Sequence, residues 1–187
     1  MNSGLVSTSE HIRATLGFAG LYQITHELLR TVVLDGVREF FGVDDRAHTA
    51  PFGRPRYQAE VLSLDPESHF RASLLWLVHA KAISEHQADR LDEIYGRRNQ
   101  VTRELLTRVV DPAFQPDLDL FKDALRILTD VHRFWTQIAI DKGEFSQFGD
   151  VTVDDVKPPW GWAFWSCIDA LSEPASREGD QGAAEAG

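Results

Sequence analysis

The feature that most constrains this chain is a helical period that its own punctuation restarts again and again. At about 100° per residue, Phe70, Leu74, Leu77 and Val78 share one side of the stretch that "LDPESHF" introduces. Asp65 can accept the free backbone donors of a first turn, and Pro66 suits the first helical position, where a missing N–H costs nothing. After a break near Ala82, Ser84 and Gln87 have the spacing of a capping box, with Ile83 before them. That next helix should run to about Val110, where Asp111 and Pro112 stop it. Strands alternate with a period of two and cannot use this pattern.

The same reading extends to both ends. "STSE" at residues 7–10 offers hydroxyl caps for a first helix over about 9–41. Its Phe18, Leu21, Ile24, Leu28, Leu29 and Val32 share a side, and Gly42 suits the stop. His26 falls opposite that stripe, on the face expected to meet solvent. Residues 42–64 are rich in turn formers, and a structureless stretch of that length is commonly functional or mobile. Asp117 starts a further helix to about Lys142, turning Leu118, Phe121, Leu125, Leu128 and Trp135 inward, with Gly143 as its stop.

Pro158 and Pro159 then precede a short helix over about 160–171. Its Trp160, Trp162, Phe164 and Trp165 are too many for a solvent-facing helix. A lid on the bundle is the expected role, with a partner groove or ligand pocket as the alternative. Cys167, the one cysteine of the chain, is expected there as a small buried apolar residue. Residues 172–187 read as a disordered tail. The expected architecture is all-α: one domain over residues 1–171, an antiparallel bundle of about five helices with a short aromatic-rich C-terminal helix.

The chain has 187 residues, enough for one sizeable core. Its 29 acidic and 19 basic side chains give a net charge of −10. That excludes broad, sequence-independent nucleic-acid binding, which needs a positive field, but leaves room for a local basic site. No apolar run approaches the roughly 20 residues of a membrane span, and the first residues lack a signal pattern. A cytoplasmic protein without a membrane partner is the expectation.

Candidate chemistry is sparse. "HELLR" at residues 26–30 has the start of a zincin helix, but its fourth position is Arg30 and not a second histidine, so zinc is rejected. His79 and His86 flank a turn and define no ligand geometry. "GFAG" lacks the strand that would make it a phosphate loop. No metal or cofactor is expected. What remains is "LDEIYGRRNQVTRELL", residues 91–106. Leu91, Ile94, Val101, Leu105 and Val109 form an apolar stripe, and Arg98 projects from its middle. A buried guanidinium without a partner is costly, so Arg98 needs one, in this molecule or in another. Arg97, Glu104 and Arg108 share a side in salt-bridging register, and Asn99 and Arg103 form a second polar pair. That register leaves Arg98 unexplained.

"YGRRNQVTREL" resembles the arginine–asparagine helix of HEPN domains, small helical bundles common in prokaryotic toxin–antitoxin and phage-defence systems. The resemblance runs from about Phe70 to Phe134 and includes "FRASLLWLVHAKAISEHQADRL" and "LTDVHRFWTQI". It implies a dimer in which two copies of the motif share a cleft, and in many members RNA is cleaved without a metal. Arg98 matches the arginine and Asn99 the asparagine. The expected histidine, five residues past Arg98, is Arg103, whose guanidinium does not deprotonate in a protein. The resemblance therefore implies a homodimer that binds RNA, or an antitoxin or defence partner, through Arg97, Arg98, Asn99, Arg103 and Arg108, with catalysis weak or lost.

Two alternatives stand beside it. In a metal-independent endoribonuclease, Arg98 would stabilise the phosphorane and His132 would serve as acid or base. His132 shares a side with Phe121, Leu125, Leu128 and Trp135, and a hairpin turning near Ala113 would set it level with Ile94, about one turn from Arg98. The plainer reading of His132 is a core histidine, and Asp35 is another counter-charge for Arg98. The other class is a structural interaction module whose aromatic C-terminus docks a partner.

Overall fold

A computed structural model describes residues 3–43, 54–97, 103–105, 107, 109, 111 and 118–172. Helix α1, Ser3–Leu29, passes through a π-helical segment, Arg30–Asp35, into α2, Gly36–Phe40. There follow α3 (Arg54–Glu60), α4 (His69–His79), α5 (Glu85–Gly96), α6 (Asp119–Asp141) and α7 (Gly161–Ser172). Residues 103–105 are again helical, and no strand occurs among the described residues. The chain is all-α.

Local chemistry explains most of the boundaries. Ser84 Oγ accepts from the Gln87 N–H at 3.2 Å while Gln87 Oε1 accepts from the Ser84 N–H at 2.8 Å, completing the capping box. Gly42 and Gly143 close their helices at φ of +67° and +78°, a left-handed conformation that a side chain would strain. The start of α4 differs from expectation. Ser68 is the cap, accepting from the Arg71 N–H at 3.1 Å. Asp65 Oδ1 instead takes the N–H groups of Glu67 and Ser68, both at 3.0 Å, so Pro66 lies in a turn before the helix. α5 ends at Gly96, the poorest non-proline helix former in the stretch, and the described residues 103–105, 107 and 109 of the helix expected to about Val110 are helical again. Residues 44–53 lie outside the described residues, but the expected structureless stretch holds α3 and a 3-10 turn, Leu62–Leu64.

Contact pairs fix the helix directions. Arg71 meets Asp89 at 2.6 Å and Phe70 stacks on Tyr95, so α4 and α5 run antiparallel. Gln87 meets Asp130 at 3.0 Å and Arg90 meets Asp123 at 3.6 Å, so α5 and α6 do too. Phe18 and Tyr22 pack edge-on against Phe121, and Trp135 Nε1 donates to the Val32 carbonyl at 3.0 Å. The first helical rod therefore runs alongside α6 in the same direction. The core between them is fully buried at Leu29, Val33, Leu74, Leu77, Leu91, Ile94, Phe121, Leu125 and Leu128. Burying each such side chain contributes about 1.5–3 kcal/mol.

The buried face of α1 is rotated from the expected stripe. It follows Phe18, Leu21, Tyr22, Thr25, His26 and Leu29, so Phe18, Leu21 and Leu29 of the expected stripe are inside, Leu28 and Val32 pack at its margin, and Ile24 is 45% exposed. His26, expected at the surface, is only 7% exposed. Its ring stacks on Tyr95 at 4.3 Å, and Tyr95 stacks on Phe70 at 3.8 Å, so three helices share one aromatic column. Thr25 tolerates burial because its hydroxyl donates to the Leu21 carbonyl at 2.7 Å. Counting apolar letters misplaced a face built partly from Thr, His and Tyr.

Candidate functional site

α5 leads to the arginine motif and places Tyr95, Gly96 and Arg97 at its end. Arg97 is exposed, and its guanidinium pairs with Glu93 one turn back. Glu93 also receives Arg90 at 3.0 Å, so these charges form a solvated local network. Exposed pairs of this kind contribute a few tenths of a kcal/mol. Arg103 is exposed too, while Leu105 and Val109 on the motif's apolar side are half-buried. Arg98, Asn99 and Arg108 lie outside the described residues, and with them the expected pairing of Arg98 with Asp35. Asp35 itself is half-buried at the end of the π segment.

His132 stands elsewhere. The Gln87–Asp130 and Arg90–Asp123 pairs set the register of α5 on α6 about three turns away from a hairpin centred on Ala113. His132, two residues beyond Asp130, is therefore level with the Ser84 end of α5. Arg97 is ten residues further along that helix than Gln87, a rise of about 15 Å. The expected level with Ile94 does not hold, because the Gln87–Asp130 and Arg90–Asp123 pairs fix a different register of α5 on α6.

At its own end, half-buried His132 has Nδ1 3.4 Å from the Thr136 hydroxyl and meets the edge of Trp160 at 6.4 Å. Burial pushes its imidazole pKa below the ordinary value. It lines a surface pocket of about 280 Å³ together with Phe40, Glu39, Trp135, Lys142 and Glu144. Trp135 organises this end. Besides its bond to Val32, it lies parallel to Trp76 at 6.1 Å and 6.0 Å from Phe40. A Cβ at Gly36 would come within 2.9 Å of its Nε1, so only glycine permits this approach. The π segment lies beside it, and such segments recur at functional positions. Sequence reasoning missed the pocket, although a glycine amid the buried face of a long helix was a signal for it.

The aromatic helix α7 also differs from expectation. Phe164 and Ile168 are buried and Trp160 is half-buried, but Trp162 is 82% exposed and Trp165 41%. Cys167, expected inside, is exposed. α7 rests on α1 and on α6 with Phe164 and Ile168 inward, and the missing side chain of Gly17 lets Leu171 in, since a Cβ there would lie 2.3 Å from its Cδ2. A peripheral helix cannot bury all its aromatics, and Cys167 falls on the open side. The spacing of Phe164 and Ile168 was legible; the density of tryptophan masked it.

Among the described residues no group of three His, Cys, Asp or Glu side chains is gathered as metal ligands. Nor is any described helix long and apolar enough to cross a membrane. No family model, curated protein or solved structure matches the chain.

Proposed function

We propose that this chain is a HEPN-like, non-catalytic binding protein, acting as a homodimer, that takes RNA phosphates on the arginine-bearing end of its bundle. The observation that carries this reading is the solvent exposure of Arg97 and Arg103, on either side of the Arg98–Asn99 pair. Phosphates are bound by exposed guanidinium groups, and each such contact contributes a salt-dependent increment. Catalysis has less support. Arg103 stands at the histidine position, His132 lies on α6 level with the Ser84 end of α5, and the chain carries no histidine between His86 and His132.

Fluorescence anisotropy with a single-stranded RNA, titrated at rising salt, tests the proposal. Arg97→Ala with Arg103→Ala should weaken binding across sequences and lower the salt slope by about two. Binding that ignores both substitutions, or a monomer by sedimentation, would overturn the respective half of the reading. A protein partner, of antitoxin or defence type, is the second reading. The exposed Trp162 and Trp165 favour it, since indoles are enriched at the centres of protein interfaces. Under that reading Trp162→Ala removes complex formation and the arginine substitutions do not.

A further inference from the structure

The pocket beside the π segment has a chemistry opposite to that of the arginine end. Phe40 and Trp135, with ring centroids 6.0 Å apart and planes inclined by 40°, form two walls of a corner. Glu39 and Glu144 contribute carboxylates, and Lys142 contributes the one ammonium of the lining. That ammonium lies 5.7 Å from the centroid of the Phe40 ring. An aromatic face attracts a cation through its quadrupole, so the chain already places a positive charge where the pocket favours one. Two carboxylates against one ammonium leave the lining negative, in a protein whose net charge is −10.

We infer that this pocket binds a small alkylammonium cation, and that Lys142 is the internal occupant the ligand displaces. An anion would meet Glu39 and Glu144. A neutral ring would stack on Phe40 and Trp135 but gain nothing from the carboxylates. A methylated ammonium uses both, burying its methyl groups on the rings and its charge beside the acids. The volume of about 280 Å³ admits such a ligand with room to spare. Lys142 follows the last residue of α6 and is exposed, so its flexible stem can swing clear. His132 does not oppose the ligand near neutral pH, because burial favours its uncharged form.

The test uses the full chain, isothermal titration and two probes of equal shape: choline, and its neutral isostere 3,3-dimethyl-1-butanol. Choline should bind at least about tenfold more tightly than the isostere. Lys142→Ala should tighten choline binding by about threefold, since it removes the competing ammonium. Glu39→Gln with Glu144→Gln should weaken it by about tenfold. All these side chains except the half-buried walls are exposed, and circular dichroism confirms that each variant remains helical. Equal binding of the isostere, weaker binding after Lys142→Ala, or no choline binding to Lys142→Ala at millimolar concentration would overturn the inference.

Discussion

At the Arg97 end of the α5–α6 pair, charged side chains point into water and pair within their own helix: Arg97 with Glu93, and Glu93 with Arg90. Toward the other end, the Trp135 indole joins α6 to the π segment, with Trp76 and Phe40 around it. The contrast is one of dielectric. Exposed charges interact weakly and are free to exchange partners, whereas half-buried rings hold distant parts of the chain in fixed relation. One end is thus suited to ligands that bring charge, the other to holding the fold and shaping a cavity.

The sharpest way to break this comparison is to substitute each end. Trp135→Ala should lower stability by about 3 kcal/mol, from lost packing and the stranded Val32 carbonyl. Arg97→Ala should change it by no more than about 0.5 kcal/mol. Urea unfolding at fixed pH measures both. Equal losses would mean that the arginine end is as structural as the pocket end. A smaller effect belongs to the cap at the pocket end of α5. Ser84→Ala removes the acceptor for the Gln87 N–H and should cost about 1 kcal/mol by the same measurement.

How far the sequence could be read follows the same division. Elements set by local rules were legible: the capping box at Ser84, the glycine stops at Gly42 and Gly143, and the inward stripe of Phe121, Leu125 and Leu128. Each depends on residues within one or two turns. What was not legible depends on which helix lies against which. His26 is buried because Tyr95 is there to stack on it, and Ile24 is exposed because no described helix covers it. His132 sits away from the arginine motif because the α5–α6 register is set by Gln87, Arg90 and their partners, which a count of residues to a presumed turn does not supply. The candidate site was legible as a cluster of arginines, and only Arg97 and Arg103 of it fall among the described residues. Of the pocket only Gly36 left a signal, since Gly36 and Phe40 meet Trp135 and Lys142 only through tertiary packing.

The smallest expected effect concerns protons. Burial holds the His132 imidazole below its ordinary value of 6.5, so the folded chain resists a proton that the unfolded chain accepts. The unfolded state then binds more protons, and stability falls as pH falls. The contribution is fully present above about pH 6.5 and is lost progressively as pH drops through the lower folded value. The chain has 7 histidines, so the wild-type profile alone mixes several titrations. Comparison with His132→Gln cancels the other six. Between about pH 7.5 and 5.5, urea midpoints should fall further in the wild type than in His132→Gln. Glu39, Glu144 and Lys142 line the same pocket and are common to both proteins, so the comparison isolates the imidazole. Arg97→Ala should run parallel to the wild type throughout, because Arg97 lies at the other end of α5 from the imidazole and pairs with Glu93 in its own helix. If His132→Gln also runs parallel, the pocket end is as wet as the arginine end around this ring, and the contrast between the two ends narrows to Trp135 and its neighbours.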